Sequence, residues 1–523
     1  MSNTHSENSK RIAKNTMMLC CRMLLGMIIS LYTSRVILNS LGVEDYGIYN
    51  VVGGFVAMFS LISTSLSSSV SRFLTFELGR GDMERLKRTF STSLLIHVVL
   101  AIIIFVLMET IGVWFLNNKM TIPVERLYAA NWVFQASILS FLLGLLSVPY
   151  NASVVSHERM SAFAYISILE VILRLLIVLF IAHSSWLFDR LIVYSLLLVA
   201  IGLLMQSIYW KYCRNSFEEC RFKLSFEKQN WKEMSTFAGW NFIGSTAGLL
   251  KDQGVNILLN LFVGPILNAA RGIAATVNGA VVGFAGNFMT ALNPQITKSY
   301  ATGDLNYCYS LVERGARFYF YIMFVIALPM FLEADYVLTL WLNKYPTHTI
   351  NFVRLVLILS MVDILSNTLI TIANATGKIR NYQLVVGGML LMNFPLSYLC
   401  LYWGFPPEST FVVAILVSLL CLISRLVLLR KMAQLSVYSF LRNVCAKVLI
   451  VVVIASIIPT ILHFNISYGW QRLVIVGCTS IINCIVVIFY LGCNKEEQES
   501  ILSKMALLKK NLKKSNIIFL FNK

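Results

Sequence analysis

Residues 89–115 read TFSTSLLIHVVLAIIIFVLMETIGVWF, and Glu109 is the only Asp, Glu, Lys or Arg among them. As a helix this run is about 40 Å long, more than the roughly 20 apolar residues that cross hydrocarbon. Basic residues (Arg85, Lys87, Arg88) precede it, and Asn117, Asn118 and Lys119 follow it. Similar runs fill the chain. They lie at about 15–40, 48–78, 89–115, 127–150, 161–183, 187–210, 236–262, 269–297, 315–342, 350–374, 381–402, 410–430, 443–463 and 470–492. The pattern predicts an all-α polytopic membrane protein with about fourteen transmembrane helices.

Composition agrees. Of 523 residues, 57% are hydrophobic and 13% are charged, and the mean hydropathy is +0.73. Soluble domains carry roughly 25% charged residues, so a soluble enzyme, a nucleic-acid-binding domain and a single-anchor receptor are excluded. The formal charge of +18 records orientation rather than nucleic acid. Most Lys and Arg fall in loops on the side of the N-terminus. The opposite loops hold only Lys119, Arg126, Arg190, Arg271, Lys344 and Arg472. Basic loops stay inside, so both termini are expected on the cytoplasmic side. No cleavable signal peptide is evident. The eleven cysteines form no C-x-x-C pair, which indicates neither a disulfide framework nor a metal site. No cofactor is implied.

A shift of 222 residues lays the second run on the eighth, matching Gly42 with Gly264, Gly81 with Gly303 and Asp82 with Asp304. Two parallel six-helix lobes follow, related by an axis along the membrane normal. The expected division is an N-lobe at 1–212, a basic cytoplasmic linker at 213–235 and a C-lobe at 236–430. Two extra C-terminal helices occupy 431–492, and a basic tail 493–523. Gly244/Gly248 and Gly279/Gly283 are G-x-x-x-G pairs suited to close helix packing. The serines 63, 65, 67, 68, 69 and 71 read as tight packing or as the lining of a wet path.

Charges inside the runs are expensive in hydrocarbon and normally face a partner or a cavity. Glu170 and Arg174, four residues apart, are expected to pair. Arg72, Glu77 and Arg425 lie near enough to the inner surface to snorkel, and Arg35 and Arg354 near the outer one. The sharper candidates are Arg22, Lys251, Asp252 and Asp363. Lys251 and Asp252 point about 100° apart on a helix, so each needs its own partner. Arg22 and Lys251 are expected to face one another across a lobe interface, and Asp363 to pair with a base or carry a coupling ion. His97 and His157 have no partner spacing and read as packing or surface groups.

The stretch Leu41-Gly-Val-Glu-Asp-Tyr-Gly-Ile-Tyr-Asn50 resembles the L-G-x-x-x-[YF]-G-x-[YF] turn of bacterial polysaccharide flippases. Further matches are Arg72-Phe73, the Gly81-Asp82 loop, Pro149-Tyr150 followed by His157-Glu-Arg-Met160, and Ala373-Asn-Ala-Thr-Gly-Lys378. The chain thus resembles the O-antigen and capsule-unit flippases of the multidrug/oligosaccharidyl-lipid/polysaccharide exporter superfamily over its first twelve runs. The resemblance implies a V-shaped, two-lobe transporter of the bacterial inner membrane that carries undecaprenyl-diphosphate-linked oligosaccharide from the inner to the outer leaflet. It implies coupling to a proton or sodium ion, contact with membrane lipids, and contact with polysaccharide polymerase machinery. It also implies a cationic cavity, onto which Arg22, Arg35, Arg72, Lys251 and Arg271 map by span, with Asp252 and Asp363 as ion-coupling candidates.

Alternatives stay open at this point. A multidrug or cation antiporter of the same superfamily calls for buried carboxylates, and here bases outnumber acids within the runs. A flippase for lipid-linked peptidoglycan precursors is barely separable. A polymerase or ligase calls for a large outer loop, and none exceeds about twenty residues; no H-E-x-x-H, G-x-S-x-G or P-loop is present, so no enzyme is expected.

Overall fold

The computed structural model describes residues 2–499 apart from 58, 119, 121, 184–188, 222–226, 264 and 343–344, together with residue 502. Some side chains of the first and seventh helices also lie outside the described residues. The described residues form helices and no strand. Helix α1 spans Ser2–Ala57, α2 Ser60–Arg80, α3 Met83–Leu107, α4 Leu127–Ser156, α5 Met160–His183 and α6 Arg190–Ser216. Then come α7 (Lys228–Phe262), α8 (Pro265–Ala301), α9 (Leu305–Leu332), α10 (Thr349–Ile364), α11 (Asn367–Thr376), α12 (Arg380–Leu391) and α13 (Asn393–Tyr402). Helices α14 (Ser409–Ala433), α15 (Lys447–Asn465) and α16 (Trp470–Val487) complete the chain.

Eleven helices among the described residues are long and apolar enough to cross a membrane, where about fourteen were expected. Helices α1, α2 and α7 fall outside that criterion. They carry Arg22, the serine run, Arg72, Lys251 and Asp252. In α1 the stretch Asn15–Ile29 is apolar and neighbouring side chains lie outside those described, whereas α2 and α7 are polar in their own right, as charges and hydroxyls that face a partner or a cavity make a helix. Gly42, at φ 83°, breaks α1 where two helical segments meet. Only a residue without Cβ adopts that backbone without strain.

The internal repeat is visible as geometry. Gly81 (φ 75°) ends α2 and Gly303 (φ 78°) follows α8. In each case the next Asp caps the next helix: Asp82 Oδ1 accepts from Arg85 N at 3.0 Å, and Asp304 Oδ1 from Tyr307 N at 3.2 Å. Gly264, the partner of Gly42, lies outside the described residues.

Two apolar cores form. One gathers side chains from α1 to α6, such as Leu74, Phe90, Phe134 and Met205. It also takes Met234, Phe237 and Ala238 from the first turns of α7, so that helix straddles the junction. The other core runs from α8 to α16 around Phe320, Phe352, Leu369 and Cys421.

Helices α15 and α16 are fixed to α9 by charge at both ends. At one end the buried Arg317 donates to Glu497 at 2.6 Å and to the Asn443 carbonyl at 3.0 Å. At the other, the fully buried Glu333 accepts from His463 Nδ1 at 2.7 Å and Arg472 Nε at 3.0 Å.

Arg126 ties three segments of the first bundle, binding Asp45 after the kink in α1 and Asp189 ahead of α6. Arg126→Ala is expected to cost about 2 kcal/mol, between the values for exposed and buried pairs, read as a lower thermal midpoint in detergent. Arg126→Lys should recover little, because an ammonium lacks the planar fork that grips two carboxylates.

Candidate functional site: three polar chambers between the helices

A chamber of about 730 Å³ opens within the first bundle, between α1, α4, α5 and α6. Arg22 enters it from α1, its guanidinium 5.0 Å over the Phe163 ring and 3.4 Å from Ser167 Oγ. Its Nε is buried without a partner. On the facing wall Glu170 and Arg174 pair at 2.7 Å, as their spacing predicts. Ser137, Ser140 and Asn151 from α4 and Tyr209 from α6 add hydroxyl and amide groups.

A second chamber, of about 740 Å³, lies in the other bundle between α7, α8 and α10. Buried Lys251 reaches Asp363 Oδ2 at 3.6 Å, while Asp363 remains 43% exposed toward the chamber. Arg271 lies 5.2 Å over the Phe411 ring, and Asn256 and Asn278 complete the polar lining. Asn393 of α13 donates to the Lys251 carbonyl at 3.4 Å, fixing α7 where it carries the charge.

Arg22 and Lys251 therefore occupy separate chambers rather than meeting in one. Met23, the residue after Arg22, marks the seam. Its Sδ is 3.3 Å from Asn287 Nδ2, and its Cε is 3.1 Å from where a Cβ on Gly283 would stand. Gly283 thus allows the close approach expected of its G-x-x-x-G pair, and it lines the second chamber together with Gly279. In the other pair, Gly244 packs against Gln383 and Gly248 has open space around it.

The third space, a cleft of about 530 Å³, lies between α2, α4, α8 and α11. Ser67, Ser68 and Ser71 face it, while Ser65 and Ser69 are buried in helix contacts. The serine run thus divides between helix packing and the lining of a cleft, on different faces of α2. Asn151 and Phe163 border this cleft and the first chamber alike.

One end of the cleft is closed by two polar contacts between bundles. Arg72 Nε and Nη2 donate to the carbonyls of Asn374 and Ala375, at 3.1 and 3.0 Å. Those are terminal carbonyls of α11, at the negative end of the helix dipole; Asn374 also accepts from the capping Gly377 N at 3.0 Å. Phe73, Phe76 and Phe237 surround the same guanidinium at 4.5 to 5.4 Å. Beside this contact, Lys298 Nζ of α8 meets Glu158 Oε1 at 2.8 Å, and Gln295 donates to the other carboxylate oxygen. Glu158 sits at φ 58° in the turn after α4.

Sequence reading placed Arg72 near the inner surface and included neither Glu158 nor Lys298 among the site residues. Their signal lay in the His157-Glu-Arg-Met160 and Ala373–Lys378 motifs, whose residues meet the other bundle here. The Arg35 and Asp252 side chains lie outside the described residues. His157 is not the unpartnered group its spacing suggests: Nε2 stands 2.6 Å from buried Glu219. Glu77, read as snorkelling, is buried and pairs with Arg85 at 3.3 Å. Arg425 is also buried, donating to Tyr382 Oη at 3.0 Å and Ser366 Oγ at 2.9 Å.

Residues 12–335 match the family described as "Polysaccharide biosynthesis protein". Over 300 residues the chain is 22% identical to the uncharacterized membrane protein EpsK of Bacillus subtilis (strain 168), covering 56% of this chain. The match spans 58% of that relative's length, a little over half. Among solved structures, an outward-facing multidrug resistance MATE family transporter of the MOP superfamily superposes with a TM-score of 0.69. Its identity is 12%, with 81% of this chain and 97% of that one covered. The Vibrio cholerae MATE transporter VcmN gives 0.65 at 16% identity, covering 82% and 98%. At such identities the likeness is one of fold.

Proposed function

The chain belongs to the polysaccharide biosynthesis protein family, and from that premise we propose that it flips undecaprenyl-diphosphate-linked oligosaccharide across the inner membrane. Family and fold point to a multi-pass membrane transporter rather than an enzyme. The proposed cargo moves from the cytoplasmic to the outer leaflet by ion-coupled alternating access, for assembly of O-antigen or capsule. An N-lobe at 1–212 and a C-lobe at 236–430 rock about the cleft, both termini are cytoplasmic, and a polymerase takes up the product outside.

The observation that supports this reading is that Arg22, Arg72, Lys251 and Arg271 line chambers between the helices. A sugar hydroxyl moved from water to alkane without a partner costs about 4–8 kcal/mol, so an oligosaccharide does not cross bare hydrocarbon. Chambers with fixed donors replace those hydrogen bonds, and the prenyl tail stays in lipid. Two negative charges on a diphosphate match the fixed bases. An inside-negative potential favours their outward movement by about 2.3 kcal/mol per charge per 100 mV.

A cation antiporter, the rival reading, needs acids in excess; here Glu170 is neutralised by Arg174 and Asp363 faces Lys251. In proteoliposomes holding labelled undecaprenyl-diphosphate oligosaccharide, the wild type should move lipid between leaflets. Lys251→Ala should slow this at least tenfold, and Asp363→Asn should retain movement that no longer responds to an imposed proton or sodium gradient. Rapid movement of a lipid-linked peptidoglycan precursor instead, or of an organic cation alone, would replace this reading by the corresponding alternative.

A further inference from the structure

We infer that Gly79 is a positioning residue for closing the cleft: there α2 and α8 cross closely enough to keep the polar contacts on either side within reach. This rests on the two-lobe movement proposed above and specifies the contact that decides when one end is shut.

The 222-residue shift runs well beyond α2 and α8. Helix α3 begins at Met83 and α9 at Leu305, α4 at Leu127 and α10 at Thr349. Under the same shift Gly79 corresponds to Ala301, and these two residues meet. A Cβ on Gly79 would stand 2.9 Å from Ala301 Cβ and 3.1 Å from both the Cα and the carbonyl oxygen of Lys298. Repeats that share an orientation are related by an axis along the membrane normal, and equivalent residues of a two-fold pair touch only where that axis runs. The crossing therefore lies on the line between the two halves, at the closed end of the cleft.

Each of the two helices also holds the other bundle beside the crossing. Arg72, about two turns before Gly79 and on the same face of α2, donates to the end of α11 at 3.1 and 3.0 Å. Lys298, about one turn before Ala301, meets Glu158 just past the end of α4 at 2.8 Å. Helices α4 and α11 end at Ser156 and Thr376, within two residues of equivalent positions. Each half thus gives one contact to the matching place in the other, and both donors lie within two turns of the crossing.

What blocks a side chain at Gly79 includes the backbone of α8, which does not swing aside as the tip of a long side chain does. Carbon atoms rest about 3.5–4.0 Å apart, so one methyl here obliges α8 to withdraw by about 0.5–1 Å. The contacts of Arg72 and Lys298, at 2.8 to 3.1 Å, lie within the usual range of about 2.7–3.2 Å and leave it on such a withdrawal. Helix propensity acts in the opposite direction, because alanine in place of a helical glycine stabilises α2. The sign of the change in closure therefore separates the crossing from a local effect on the helix.

The test is hydrogen–deuterium exchange of the purified full chain, read at residues 155–160 and 371–380, together with movement of labelled undecaprenyl-diphosphate oligosaccharide between leaflets of proteoliposomes. Gly79→Ala should speed exchange in both segments at least threefold and Gly79→Val at least tenfold, with α15 and α16 unchanged. Ala301→Gly added to Gly79→Ala takes away the methyl that the new one strikes, and should return exchange to within about twofold of wild type. Gly79→Val should bind the lipid as well as wild type does yet move it at least tenfold more slowly, because one end no longer shuts. Exchange that is unchanged or slower in Gly79→Ala, or that the second substitution leaves raised, would overturn the inference. Wild-type protein that moves no such lipid, while exchange responds as stated, would instead remove the proposed cargo and leave the crossing in place.

Discussion

Arg72→Ala is expected to unlock the closed end of the cleft and to stop surface polysaccharide display at normal protein abundance. The side chain donates two charge-assisted hydrogen bonds across the bundles, to the carbonyls of Asn374 and Ala375. Bonds of that kind are worth about 1.5–3 kcal/mol each, so their loss weakens closure by about 3 kcal/mol. That is a shift of more than a hundredfold in the ratio of closed to open states. The same substitution leaves terminal carbonyls of α11 without their cationic partner. Hydrogen–deuterium exchange should show faster uptake in residues 371–380 and 293–301, with α15 and α16 unaffected. Arg72→Lys should behave like alanine, since one ammonium does not reach both carbonyls with fixed geometry. Unchanged exchange in both segments would mean that Glu158 and Lys298 hold the end shut by themselves.

The second large effect is expected at Glu333, far from the chambers. Its carboxylate is fully buried and bridges His463 and Arg472, joining α9 to α15 and α16. Glu333→Ala leaves Arg472 without its counter-charge, and breaking a buried pair from one side costs about 3–5 kcal/mol. The thermal midpoint in detergent should fall steeply, and the 466–469 turn should become a site of limited proteolysis. Glu333→Gln keeps one carbonyl acceptor, enough for one of the two partners, and should lose less than alanine. Because α15 and α16 are held at their other end by Arg317 and Glu497, release at one end should loosen the pair without unfolding the remaining helices.

Much of the site was legible as composition and spacing. Arg22, Lys251 and Asp363 were singled out because charge inside an apolar run needs a reason, while Arg72 and Arg271 joined them only through the family resemblance; each borders a chamber. The Glu170–Arg174 pair followed from helical spacing alone. The Gly81-Asp82 and Gly303-Asp304 matches also proved to be the same turn, because the left-handed glycine and the capping carboxylate act within four residues of sequence. Glu158 and Lys298 were not singled out. They lie at helix ends, where charges are ordinary, and only the approach of α8 to the turn after α4 makes them a pair. His157 was missed for the same reason, since its partner Glu219 lies 62 residues away.

By itself the sequence determined a membrane-spanning helical bundle, because 57% hydrophobic residues in runs longer than a bilayer's thickness permit no other way to satisfy the backbone. It also determined which charges needed an explanation. Only the tertiary structure decided which bundle each charge serves. Helix α1 presents Arg22 to one chamber while Met23, about 100° around the helix, packs on α8 at the edge of the other. Whether two bases share a cavity or are parted by a thioether depends on how adjacent helices are rotated and how closely a glycine lets them approach. Side-chain packing across the seam sets that rotation, and no local pattern in the chain encodes it.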